Sequence, residues 1–350
     1  MRKGASTLQA AAAVAVVVIL VIGASYALTR PSTTTTASSS ATLQTTTSAS
    51  SSSTSTGTSS SASSSTSSPS AGAISHVIVV LMENEEYGSV IGNSSAPYQT
   101  SLASKYASAA NYTGVAHPSL PNYLALVAGS TFGVTSDCLP DQCSQPASAT
   151  TLASLLDSHD LTWKEYAESM PTNCSQTDSP DGLYYAKHNP FVYFASITGN
   201  LGTGTPSAYC DSHVVPLTQF YADLKAGDLP NYSFITPNIC DDAHSCPLSS
   251  GDNWLSTFVP AVVDSTSFAS AALFIVYDEG ATSDLSGGGG HVPCILVSPF
   301  AKAGYASEVP YDHYSLLATV EAALKLGNLG RNDSTASPMG DLFASSAGIP

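Results

Sequence analysis

Three features of this sequence predict an α/β domain of doubly wound or three-layer α/β/α sandwich build, with a mainly parallel central sheet. The run Ser75-His76-Val77-Ile78-Val79-Val80-Leu81-Met82 is continuously apolar and rich in β-branched residues, as in a strand buried on both faces. Comparable runs recur at Tyr232 to Thr236, Leu273 to Tyr277 and Pro293 to Val297. Segments of helical length stand among them at Thr151 to Ser158, Trp254 to Val263 and Ser315 to Leu326. Strands alternating with helices imply crossover connections, and so helices on both faces of the sheet.

The elements in order begin with an export segment. Arg2 and Lys3 precede a small and apolar run from Ala10 to Leu28, long enough to span a bilayer, so residues 1–30 read as a signal peptide or a retained N-terminal membrane anchor. Residues 31–72 are almost entirely Ser and Thr, with too little apolar surface to offset the entropy of ordering. They read as a disordered, O-glycosylated stalk, which favours the anchored alternative. The folded domain is expected over residues 73–350, a size that suits one α/β core.

Composition narrows the function. There are 10 Lys+Arg against 26 Asp+Glu, a formal net charge of −16, with only 10% of residues charged. A nucleic-acid-binding face needs clustered basic charge, so that class is excluded. A low density of bases suits an acidic medium. The seven cysteines allow three bridges outside the cell, Cys138 with Cys143, Cys174 with Cys210 and Cys240 with Cys246, leaving Cys294 as a buried thiol. A zinc cluster is the alternative, but the close pairs lack the usual two-residue gap. Glycosylation sequons at Asn93, Asn111, Asn173, Asn231 and Asn332 match an extracellular or cell-surface address.

Chemistry concentrates at strand ends. Glu83 and Asn84, followed by Glu85 and Glu86, come directly after the first strand, and Asp278-Glu279 come directly after Leu273 to Tyr277. In open α/β sheets ligands gather beyond the carboxyl ends of strands. Carboxylates and an amide converging with a hydroxyl suit one divalent metal ion. The hydroxyl is offered by His117-Pro118-Ser119-Leu120-Pro121-Asn122-Tyr123, where Ser119 stands at or just before the N-terminus of an apolar helix that stops at Gly129. Four histidines, His117, His188, His244 and His291, lie in loops marked by Pro, Gly or Cys, whereas His313 heads a helix as a packing or capping residue.

Taken together these motifs resemble the phosphoesterase family of secreted acid phosphatases and phosphatidylcholine-type phospholipases C, described in bacteria and archaea, within the alkaline phosphatase superfamily. The similarity runs from Ile74 to about Leu326. It is carried by Glu83-Asn84, His117 to Tyr123, Lys187-His188-Asn189-Pro190-Phe191, Thr236-Pro237-Asn238 leading to Asp242 and His244, Tyr277-Asp278-Glu279-Gly280 and His291-Val292-Pro293. The resemblance implies an alkaline phosphatase-like fold. It implies Ser119 as nucleophile and as a ligand, with Glu83, Asn84, Asp278 and Glu279, of one metal ion. It implies His188, His244 and His291 around the phosphoryl oxygens and leaving group, where a two-metal phosphatase would place its second ion, and Asn122 as a donor to a phosphoryl oxygen. His117, two residues before Ser119, reads as a positioning residue at the substrate. Relatives often carry Asp directly before the histidine of His-Val-Pro; Gly290 stands there in this chain, and the nearest acid is Asp284.

The expected activity is therefore hydrolysis of a phosphate monoester through a phosphoserine, with imidazolium His188 or His244 as the acid and an acidic pH optimum. The substrate would be a small phosphate monoester or a phospholipid headgroup. A phosphodiesterase or phospholipase C using the same serine is the nearest alternative, and a non-catalytic cell-surface protein is the alternative from another class.

Overall fold

The computed structural model describes residues 74–199 and 205–349. The expected export segment (1–30) and Ser/Thr-rich stalk (31–72) lie outside the described residues. Within them, ten strands are formed: β1 His76–Met82, β2 Ala107–Ala109, β3 Tyr112–Thr113, β4 Trp163–Ala167, β5 Val214–Pro216, β6 Tyr232–Thr236, β7 Ala271–Tyr277, β8 Cys294–Val297, β9 Tyr305–Ser307 and β10 Tyr311–Asp312. Eight of them make one sheet in the order β5-β4-β6-β1-β7-β8-β2-β9, and β10 pairs with β3 beside it. Every pairing in the large sheet is parallel except the two made by β8, which runs against both β7 and β2.

β1 and β7 sit at the centre. Residues Val77 to Met82 and all of β7 are buried, which requires cover on both faces of the sheet and is why these segments read as unbroken apolar runs. The cover comes from α1 Pro97–Lys105, α2 Ser119–Ala128, α3 Leu152–Ser158, α4 Thr218–Ala226, α5 Leu248–Val263 and α6 His313–Leu324, giving a three-layer α/β/α sandwich. α2 packs on α6 and α1 on α5. All ten residues of α2 are buried, and Gly129, in left-handed backbone with φ 65°, closes its last turn. Burial of each Leu or Val in such a helix contributes about 1.5–3 kcal/mol relative to exposure, so α2 is held by packing, without any side-chain cap at Pro118.

Register aligns the strand ends. Met82 pairs with Tyr277, so Glu83 and Asp278 leave the sheet side by side, and Val80 pairs with Ile235, which brings the exit of β6 to the same edge. Because β8 is reversed, it starts at the edge where β7 ends. The segment between them, Asp278 to Pro293, therefore stays at that edge and does not cross the sheet.

α5 begins at Leu248, six residues before the predicted start at Trp254. Its first turns carry Ser249, Ser250 and Gly251, poor helix formers by propensity. Packing decides instead: a Cβ on Gly251 would lie 2.8 Å from Met82 Cε, so the glycine lets α5 approach β1. The three bridges form as expected, Cys138–Cys143, Cys174–Cys210 and Cys240–Cys246, with Cys294 a buried free thiol. Among the described residues no helix is long and apolar enough to cross a membrane.

Candidate active site

Ser119 is the first residue of α2 and is buried. Its hydroxyl lies 3.0 Å from Glu83 Oε2 and 3.1 Å from Glu279 Oε1, so one proton is shared between carboxylates delivered by two adjacent strands. Glu83 is fully buried and accepts a second hydrogen bond from Tyr123 Oη at 2.5 Å. Tyr123 is four residues beyond Ser119 on the same face of α2, and its ring stacks on His188 with centroids 5.2 Å apart. Asp278 accepts from the Asn84 backbone N–H at 3.2 Å, and Asn84 takes left-handed backbone with φ 59° to make that turn.

A second group adjoins the first. His188 Nε2 is 3.2 Å from Glu83 Oε1, and Nδ1 is 3.5 Å from Asp242 Oδ2. His244 lies beside it, ring centroids 5.6 Å apart. The Asp242 carboxylate accepts the His244 backbone N–H at 2.8 Å, within the loop closed by the Cys240–Cys246 bridge. Glu83, His188 and His244 offer ligand atoms that all lie within 4.8 Å of one another. The resemblance implies these two histidines around the phosphoryl group, where a two-metal phosphatase would place its second ion; the structure puts them against Glu83, where they suit a cation.

The remaining predicted residues fall as follows. His117 Nδ1 contacts Glu279 Oε2 and its Nε2 donates to the Asp284 carbonyl at 2.8 Å, which makes it a positioning residue for Glu279. Asn122 differs from expectation. Its Oδ1 accepts from the Val115 and Ala116 N–H groups at 2.8 and 3.1 Å, and its Nδ2 donates to the Ala116 and Pro118 carbonyls at 2.8 and 3.3 Å. With both amide hydrogens so engaged, the side chain braces the turn that carries Ser119 and has no hydrogen left for a phosphoryl oxygen. His291 stacks on Tyr87 and bonds the Ala110 carbonyl at 2.8 Å, while Asp284, the nearest acid in sequence, accepts the His291 backbone N–H. These contacts occupy the His291 ring and join its backbone, through Asp284, to the loop whose carbonyl holds His117. His313 bonds the Asp278 carbonyl at 2.6 Å and Tyr112 Oη at 3.0 Å, so its packing role supports the acidic loop; Asp312, not His313, caps α6.

Two backbone segments hold the two sides together. The Gly287 to Gly290 run lies directly on Thr113 to Ala116: Gly114 N–H donates to the Gly290 carbonyl at 2.9 Å, and Gly289 N–H to the Gly114 carbonyl at 3.2 Å. A Cβ on Gly289 would stand 2.6 Å from the Ala116 oxygen, and one on Gly288 2.5 Å from the Val115 oxygen. The glycines are needed for close approach of backbone to backbone.

Electrostatics show what the site lacks. Burial, reinforced by the charge of Asp242, drives the Glu83 pKa well above its ordinary value. Burial and the charges of Glu83 and Glu279 do the same to Asp278. Burial lifts Asp242 to about 8 and also raises Glu279 against the pull of His117. Asp278 Oδ2, Asp242 Oδ2 and His188 Nε2 are buried without a hydrogen-bond partner. A nest of carboxylates and imidazoles with unsatisfied atoms is short of positive charge, and such a donor set fits a divalent cation. His188 and His244 are pushed the other way, to about 3 and about 4, chiefly by burial; at His244 the adjacent His188 ring, which disfavours a second proton on the pair, comes next, and the Lys187 charge adds to the effect on both. Both are neutral in the free site, contrary to the imidazolium expected from sequence, and neutral imidazole is the metal-binding form.

Sequence reasoning passed over Tyr123, whose spacing from Ser119 was the available signal. It also passed over Asp137, whose Oδ1 accepts the Leu120 N–H at 3.1 Å, and Lys187, which donates to Asp137 Oδ2 at 2.8 Å.

The three-layer α/β domain, with its helix-initial serine set at the strand ends, has an alkaline phosphatase-like fold. Solved structures agree on the fold: a protein of the alkaline phosphatase superfamily from Vibrio parahaemolyticus has a TM-score of 0.50 at 14% identity, covering 78% of this chain and 72% of that one. The lipoteichoic acid synthase LtaP from Listeria monocytogenes has a TM-score of 0.51 at 12% identity, with 77% of each chain covered. The chain belongs to the Phosphoesterase family, whose model matches residues 93–327. It is 34% identical over 231 residues to a phosphate-repressible acid phosphatase of Penicillium chrysogenum, covering 64% of this chain and 53% of that protein. It is 31% identical over 256 residues to a phosphatidylinositol-3-phosphatase of Mycobacterium tuberculosis, covering 73% and 79%. A probable acid phosphatase of Kluyveromyces lactis is 30% identical over 271 residues, 75% of this chain and 61% of that one. The chain thus spans 53% and 61% of the two fungal relatives, and the relatives extend beyond bacteria and archaea.

Proposed function

We propose that this chain is a metal-dependent phosphomonoesterase of acid phosphatase type, working outside the cytoplasm through a phosphoserine at Ser119. One observation carries the reading: the buried Ser119 hydroxyl at the head of α2 is held between Glu83 and Glu279. The names of the fungal relatives, acid phosphatases, support it.

Glu83, Asn84, Asp278 and Glu279 would hold the ion, with His188 as a nitrogen donor beside Glu83 and His244 left free of it. When bound, a divalent ion supplies Lewis acidity and the positive charge the site lacks. The chain's own groups do the rest. Ser119 Oγ attacks phosphorus, its proton passes to a carboxylate already at hydrogen-bond distance, and the bond from phosphorus to the alcohol oxygen breaks. That oxygen leaves with the electron pair and takes a proton from His244, whose protonated form the phosphate dianion favours on arrival. Water then attacks the phosphoseryl phosphorus and gives a proton to the His244 left neutral by the first step; the P–Oγ bond breaks, Ser119 Oγ leaves with the electron pair and takes back the proton held by the carboxylate, and phosphate is released. The substrate is a small phosphate monoester. The mycobacterial relative's name and its high coverage favour a phosphorylated lipid headgroup within that class. The three bridges, the sequons and the N-terminal apolar run support export, with residues 1–30 as signal or anchor and 31–72 as stalk.

The test is hydrolysis of p-nitrophenyl phosphate by Ser119→Ala. Loss of turnover is expected, together with loss of the acid-stable phosphoryl label trapped on wild-type enzyme. Near-wild-type activity sinks the proposal.

A further inference from the structure

We propose that Lys187 is the side chain that receives the substrate's phosphoryl group, and that Asp137 holds Lys187 in reserve by standing in for that anion. The inference rests on the phosphomonoesterase reading and names a residue to which that mechanism gives no part.

Asp137 makes, one residue from the nucleophile, the contacts a phosphoryl group would make. Its Oδ1 accepts the Leu120 N–H, the backbone donor directly after Ser119 in α2, and its Oδ2 accepts Lys187 Nζ. A helix-terminal N–H and an ammonium are the ordinary donors to phosphate oxygens, and a carboxylate offers two oxygens in a similar fork.

The pair is accessible. A cavity of about 280 Å³ opens on it, lined by Asp137, Cys138, Leu139, Asp178, Tyr185 and Lys187. The loop behind Asp137 is fixed by the Cys138–Cys143 bridge and by Tyr193 Oη, which donates to the Cys138 carbonyl at 2.6 Å. Exchange of the carboxylate for an arriving anion therefore needs only side-chain rotation.

Charge gives the exchange its direction. A phosphate dianion must approach Glu83, Asp242, Asp278 and Glu279, and Lys187 is the ammonium whose charge acts on Glu83, Asp242 and Asp278. The short helical turn Ala186–His188 carries both Lys187 and His188, so the phosphate-binding cation and the imidazole beside Glu83 are presented by one element.

The experiment is calorimetric titration of the metal-loaded full chain with inorganic phosphate, alongside KM for p-nitrophenyl phosphate. Asp137→Asn keeps an oxygen for the Leu120 N–H and removes the competing charge; phosphate binding should tighten about fivefold and KM should fall with it. Lys187→Gln should weaken phosphate binding at least about tenfold, and Lys187→Arg should restore most of it. Phosphate affinity within about twofold of wild type in both Asp137→Asn and Lys187→Gln overturns the proposal, as does weaker binding in Asp137→Asn. If wild-type protein fails to turn over phosphomonoesters yet phosphate affinity shifts as stated, the phosphatase reading falls and this one stands; turnover with unmoved affinities gives the reverse.

Discussion

Replacing Asn122 by alanine separates a brace from a substrate contact. The fully buried amide makes four hydrogen bonds to the backbone of Val115 to Pro118, and truncation leaves two N–H groups and two carbonyls without it. At about 1 kcal/mol net per hydrogen bond, with partial relaxation of the turn, the loss should be roughly 3–4 kcal/mol. Unfolding entropy of about 2.1 cal/mol/K per residue over a domain of roughly 275 residues makes each kcal/mol worth about 1.7 °C, so Tm should fall by roughly 5–7 °C. The turn that orients Ser119 loosens at the same time, so kcat should drop at least about tenfold while the inhibition constant of inorganic phosphate moves little. The assay is differential scanning calorimetry paired with phosphate inhibition of p-nitrophenyl phosphate hydrolysis. A Tm within about 1 °C of wild type, together with a tenfold loss of phosphate affinity, would refute the bracing role and restore Asn122 as a phosphoryl donor.

Other outcomes follow from the same geometry. Stripping the metal with a chelator should abolish turnover and lower Tm, with both restored by a divalent ion; full activity in protein shown metal-free by elemental analysis contradicts the metal reading. Tyr123→Phe keeps the ring stacked on His188 and deletes only the hydrogen bond to Glu83, so thermal unfolding should report a loss of about 2 kcal/mol. Replacing Cys240 and Cys246 together by serine opens a short loop, with a chain-entropy cost of about 2 kcal/mol, and kcat/KM should fall further than stability because His244 is carried there. Glu321 in α6 is raised to about 8 by burial and then by the charge of Asp333. Its folded pKa lies above its unfolded one, so the folded state holds the extra proton and stability falls as pH rises from about 4 to about 8. Glu321→Gln should raise Tm at pH 7.5 and leave it unchanged near pH 4; equal Tm differences at both values would show that no titration is involved.

The parts of the fold that were legible in the sequence are those that burial makes uniform. β1 and β7 are continuous apolar runs because both their faces are covered, β6 is buried throughout with only Ser233 and Thr236 polar, and the acids after β1 and β7 were visible as abrupt breaks in those runs. β4 escaped because Trp163-Lys164-Glu165-Tyr166-Ala167 carries two charges inside the sheet. Lys164 reaches out to Asp223 at 2.6 Å, and the buried Glu165 accepts at Oε1 from the Thr236 hydroxyl at 2.8 Å, partners supplied only by tertiary structure. The reversal of β8 was equally hidden, since four apolar residues look the same in either direction. In the site, Ser119, Glu83 and Asp278-Glu279 announce themselves by position. Asp137 and Lys187 do not, because the contact between them joins a loop beyond α2 to a turn 50 residues later. Asn122 was visible as a residue but not in its role, which depends on where its amide hydrogens point.

The contact of the Gly287 to Gly290 run with Thr113 to Ala116 bears on how this chain can change over time. Two peptide chains lying against each other without intervening side chains leave no slack for either to drift alone. The serine-bearing turn and the acid-bearing loop are thus inherited as a pair. A chimera that transplants one without the other should break at this seam, whereas one that carries both can be grafted onto another sheet of the same class with its nucleophile and its carboxylates still in register.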